Sequence, residues 1–100
     1  MPDPANEALH PTSGARFVLE RASAGAAHAT YRCAIYTPDA VYEATAVLGE
    51  DASVQLPSTG APDDLDSTLA MFAKLVARGA AKRREDRLLI WPARVTRWRP

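Results

Sequence analysis

Apolar and polar positions alternate through the first half of the chain, and then the period changes. In Arg16–Ala22, Phe17 and Leu19 fall on one side and Arg16 and Glu20 on the other, with Val18 breaking the polar side. A period of two predicts a strand. Ser23-Ala24-Gly25 is a turn signal. Ala29–Thr37 alternates next: Tyr31, Cys33 and Ile35 share one face, and Thr30, Arg32, Ala34 and Tyr36 share the other. Thr37-Pro38-Asp39-Ala40 places proline where a type I turn wants a preset φ. In Val41–Leu48 the uncharged set Tyr42, Ala44, Ala46 and Leu48 is the core-facing one. Gly49-Glu50-Asp51-Ala52 has hairpin length, and Ser53–Leu56 forms a short fourth strand ended by Pro57. Four strands joined by short turns predict an antiparallel meander.

Beyond the loop Pro57–Pro62 the period becomes helical. Leu65, Leu69, Phe72, Val76 and Gly79 follow i, i+4, i+7, i+11 and i+14, one stripe of a helix over 63–78. Asp63, Asp64 and Asp66 suit its first turn, where carboxylates cap free N–H groups and match the dipole. Gly79 either ends the helix as a left-handed cap or lies within a helix that runs on to Arg84. Arg87–Trp98 closes the pattern: Leu88–Trp91 has strand composition, Pro92 interrupts it, and Val95–Trp98 resumes it. The predicted order is β-β-β-β-α-β. The fold class is α+β, an antiparallel meander of about five strands with one helix packed on one face. Residues 1–14, with three prolines and few bulky apolar groups, predict a disordered or loosely attached tail, and 15–100 a single domain.

Composition changes this picture in two ways. The hydrophobic content of 47% includes 20 alanines, so the core is thin and stability is expected to be modest or shared with a second subunit. The formal net charge is zero, yet residues 1–73 carry a net −7 and residues 74–100 a net +7. That polarity makes either a basic face or a charge pair between the two halves. No apolar run reaches 18 residues, so no membrane span is predicted. One cysteine excludes an internal disulfide, and the first residues lack the pattern of a signal peptide. A cytoplasmic location is expected.

Candidate chemistry is sparse. His28 and His10 are the two histidines and Cys33 is the single cysteine, too few for a zinc site. Strand parity puts His28 and Cys33 on opposite faces, against a thiol–imidazole pair, and predicts an inert core thiol. Asp63, Asp64 and Asp66 lack the spacing of a calcium loop, and the five glycines are too scattered for a phosphate loop. No cofactor, metal or catalytic motif is predicted.

The most suggestive segment is Lys82–Arg99, KRREDRLLIWPARVTRWR. It interleaves basic residues with Trp91 and Trp98, as single-strand nucleic-acid binders do when cations track phosphates and rings stack bases. Four meander strands followed by a helix also resemble, in layout alone, the half-unit of whirly-type and related single-strand-binding folds. No residues carry over from that likeness, and the strand after the helix departs from it. Two functions follow as expectations. The leading one is a non-enzymatic domain that acts through a protein surface and self-associates, with Arg94, Arg97, Trp98 and Arg99 on that surface. An unpaired strand edge invites a second chain. The alternative is weak, sequence-independent binding of single-stranded nucleic acid through Arg83, Arg84, Arg94, Arg97, Arg99 and Trp98.

Overall fold

The structure, a computed structural model, describes residues 10–100. It contains β1 (Ala15–Ala24), β2 (His28–Tyr36), β3 (Val41–Gly49), β4 (Val54–Gln55), α1 (Asp63–Glu85) and β5 (Arg94–Arg99). The strands form one open antiparallel sheet in the order β4-β3-β2-β1-β5, with α1 across one face. The α+β meander predicted from the alternation is the fold observed. The chain crosses the sheet on α1 and returns at the far edge, beside β1 rather than β4.

Register explains the core. Leu19 opposes Cys33 and Phe17 opposes Ile35, while Cys33 opposes Ala44 and Tyr31 opposes Ala46. Opposed residues of an antiparallel pair point to the same face. The apolar set of each strand therefore meets α1, and Phe17, Leu19, Tyr31, Ile35 and Leu48 are fully buried there.

The helix differs from the predicted stripe in extent and rotation. It continues past Gly79 to Glu85. Its buried positions are Leu69, Ala73, Val76, Ala77 and Ala80, whereas Phe72 and Leu65 are only partly buried. The alanines face the sheet because their small side chains let the helix lie close to it. That rotation carries Met71 and Leu75 outward, and Leu75 is 56% exposed. The first-turn aspartates do not cap by hydrogen bonding. Pro62 is the N-cap and no side chain bonds the free amides. Asp66 turns back to the preceding loop instead, accepting from Ser58 Oγ at 2.8 Å, Thr59 Oγ1 at 2.6 Å and Thr59 N at 3.3 Å.

The strand expected at Leu88–Trp91 is absent, and the reason is visible in its carbonyls. Ile90 O accepts from Arg83 Nε at 2.5 Å, Trp91 O from an Arg21 guanidinium nitrogen at 2.7 Å, and Pro92 O from the Tyr31 hydroxyl at 2.7 Å. Ala93 O accepts from the Arg21 amide at 2.9 Å. Four successive carbonyls are thus satisfied by α1, β1 and β2, and no sheet ladder is needed there. Pro92 has no amide to offer one. These bonds set where β5 begins.

The expected tail 1–14 lies mostly outside the described residues. Its last part, residues 10–14, runs against the sheet. Pro11 is buried, His10 Nδ1 lies 2.7 Å from Thr37 O, and the His10 ring meets Tyr36 edge-on. Gly14 has φ +71°, and a Cβ there would lie 2.0 Å from Arg99 O.

Candidate interaction surface

The two edges of the sheet are unlike. At one edge β4 has two residues and is followed by a loop beginning Leu56-Pro57. At the other, β5 has six residues, no proline and, among the described residues, only β1 beside it. Its sequence, RVTRWR, is exposed apart from half-buried Val95. A short edge strand beside proline protects itself from further pairing, and a long one presents a row of unpaired backbone groups.

Pairing with β1 sorts the β5 side chains. Arg94 opposes Glu20, Thr96 opposes Val18 and Trp98 opposes Arg16, so all three lie on the face away from α1. Val95, Arg97 and Arg99 oppose Leu19, Phe17 and Ala15 on the helix side. The Arg99 guanidinium stands 5.9 Å from the centre of the Phe72 ring. The Trp98 ring is 53% exposed, and its Nε1–H donates to Ser13 O at 3.3 Å. Beneath β5 on the helix side, Phe72, Leu75, Val76, Pro92 and Val95 line a mainly apolar groove of about 170 Å³ that Arg83 and Arg97 border.

The other candidate arginines have structural work. Arg83 donates to Val76 O and Ile90 O, each at 2.5 Å, tying the end of α1 to the following loop. Gly79 leaves room for that guanidinium, since a Cβ there would lie 2.4 Å from it. Arg84 pairs with Glu50 at 2.6 Å and donates to Ala26 O, which joins α1 to the β1–β2 and β3–β4 turns. The six basic and aromatic candidates therefore do not share one face. Arg94 and Trp98 lie on the open face, Arg97 and Arg99 on the helix side, and Arg83 and Arg84 at the helix end.

The open face carries a shallow depression of about 380 Å³ whose lining includes Val18, Glu20, Arg32, Tyr36, Glu43 and Thr45. Charges of both signs line it, and Cys33 of β2 forms part of its floor. The Cys33 side chain points to the opposite side of β2; the residue is 1% exposed, and burial pushes its thiol up to about 11. A thiol held protonated at neutral pH is a poor nucleophile. His28 is exposed at the start of β2, on the other face from Cys33. Among the described residues no group of three His, Cys, Asp or Glu is placed to hold a metal ion. No helix among them is long and apolar enough to cross a membrane.

The signal for the groove was present in the sequence but masked. Met71 and Leu75 lie one step off the bulky stripe, and only the burial of Ala73, Ala77 and Ala80 turns them outward. Compared with known proteins, the chain matches no family model, no curated protein and no solved structure.

Proposed function

We propose that this chain is a non-enzymatic interaction domain that binds protein through its β5 edge. One observation carries the reading. The six-residue edge strand, the half-exposed Trp98 and the apolar groove under the same strand adjoin one another. Backbone groups along an edge supply affinity by strand addition, and flanking pockets supply specificity. An aromatic anchor and an arginine are the side chains most enriched at interface hot spots. The second reading, binding of single-stranded nucleic acid, draws on the exposed Arg94, Arg97, Arg99 and Trp98. Their division between two faces argues against a single phosphate-tracking groove.

A photo-reactive side chain placed at Thr96 tests the edge directly, with one at exposed Ala70 on α1 as the control. The expected result is a discrete protein adduct from position 96 alone, whose mass reports the partner. Equal labelling from both positions, or none from either, would overturn the edge reading. Saturable, salt-sensitive quenching of tryptophan emission by a short single-stranded oligonucleotide would favour the second reading instead.

A further inference from the structure

Resting on that reading, we infer that the occupant of the β5 edge is a second copy of this chain. The two β5 strands pair antiparallel about a two-fold axis at Thr96, with Arg94 of each copy across from the partner's Trp98. Three arguments on the molecule lead there.

The first is closure. Pairing β5 of one copy with β4 of the next is head-to-tail and leaves a free edge at each end, so it makes an open fibre unless the rotation closes a ring. It would also engage a strand of two residues. Pairing β5 with β5 is isologous and closes at two copies.

The second is register. A two-fold axis perpendicular to the sheet sets residues of equal parity opposite each other, so the axis passes through a residue pair. Centring on Arg94, Arg97 or Arg99 sets that arginine against itself, and centring on Trp98 sets Arg97 against Arg99. Centring on Val95 pairs only residues 94–96 of β5 and leaves Trp98 facing Pro92. Centring on Thr96 overlaps residues 94–98, sets Arg97 against Val95, and sets no arginine directly against another. Like charges directly opposite destabilise a strand pair, so the sequence of β5 selects this register from the set.

The third is what the register does with the odd residues. Arg94 and Trp98 already share the open face. Across the axis each guanidinium reaches the indole of the other copy, a cation–π contact made twice by symmetry. On the helix side, the groove lined by Phe72, Leu75 and Val95 lies under the same edge in both copies and adds apolar surface to the contact.

Single cysteines read the register. Directly opposed antiparallel residues have Cα atoms about 4.5–5.5 Å apart, within the roughly 4.4–6.8 Å that a disulfide accepts. Residue 98 and its symmetry mate would be about 14 Å apart, from the strand rise. Under mild oxidation of the full chain, Thr96→Cys is expected to give a disulfide-linked dimer. Arg94→Cys alone and Trp98→Cys alone stay unlinked, and a mixture of the two links. Buried Cys33 stays silent throughout. Trp98→Ala is expected to weaken association by about tenfold, the loss of two exposed cation–π contacts.

Self-linking of Trp98→Cys or Arg94→Cys would move the axis and overturn this register, while the edge reading stands. A chain that sediments as a monomer throughout the micromolar range, yet gives an adduct of another mass from position 96, overturns the self-pairing and also leaves the edge reading intact. A monomer with no adduct at 96 overturns both.

Discussion

Gly14 holds a left-handed backbone conformation against the last strand, with Arg99 O where a side chain would begin. Gly14→Ala is expected to cost about 1–3 kcal/mol, the range for a non-glycine residue forced into that region, and to fray the Ala15–Arg99 end of β5. Urea denaturation measures the cost, and an unchanged midpoint would contradict it. Asp66 gives a pH dependence. The Thr59 hydroxyl foremost, with Ser58 and the Thr59 amide, holds its carboxyl below the ordinary value. A depressed native pKa contributes stability that is fully present above the unfolded value of about 3.9 and is lost as pH falls through the native one. Asp66→Asn should therefore flatten the acid limb of stability below about pH 4 and leave its neutral-pH shape unchanged. A wild-type acid limb in the variant would show that these bonds do not matter. Neither feature was legible in advance. The positive φ of Gly14 depends on where β5 returns, and Asp66 has the composition of a helix cap but bonds backward to the loop.

Elements were legible where their period was clean. β1 to β3 alternate, broken in β1 by Val18 on the polar side and Arg21 on the apolar side, and the structure buries the apolar set. Two elements departed for physical reasons. The stripe in the sequence runs through Leu65, Leu69, Phe72, Val76 and Gly79, but close packing on the sheet favours the alanine side, which rotates the helix and uncovers Leu75. Leu88–Trp91 has strand residues, yet the carbonyls of Ile90, Trp91 and the following Pro92 are taken by the side chains of Arg83, Arg21 and Tyr31, which sequence spacing does not place nearby. Arg83 is the residue on which this loop most depends. Arg83→Met removes two bonds from a charged donor, expected to cost about 1.5–3 kcal/mol each at most. It should also loosen the loop around Trp91, which is 3% exposed in the native fold. A lower urea midpoint with a red shift of native emission is the expected outcome. An unshifted spectrum would mean that the Arg21 and Tyr31 bonds hold the loop without it.

At the scale of the molecule, the charge polarity of the sequence resolves into structure rather than into one basic face. Arg84 meets Glu50 across the fold and Arg94 lies opposite Glu20, while Lys82 pairs with Asp86 at 3.2 Å within the basic segment itself. The surface that remains distinctive is the β5 edge with Trp98 and the groove beneath it. The sequence pointed to its residues through the terminal tryptophan and the flanking arginines. It did not reveal that α1 contributes Phe72 and Leu75 to the same surface, because that depends on the return of the chain beside β1. A thin, alanine-rich core gains from a partner that covers such a surface, since any partner that binds only the folded state raises its stability. Unfolding midpoints should accordingly rise with protein concentration if the partner is a second copy.

Sedimentation of charge-swapped variants tests the account most directly. Thr96 is exposed, so Thr96→Lys and Thr96→Glu should each fold as the wild type does. Across the inferred axis each would set like charges together. The wild-type chain is expected to sediment as a dimer in the micromolar range, each variant alone as a monomer, and an equal mixture of the two as a dimer again. A wild-type chain and variants that all keep one mass, mixed or separate, would contradict the placement of the interface on β5.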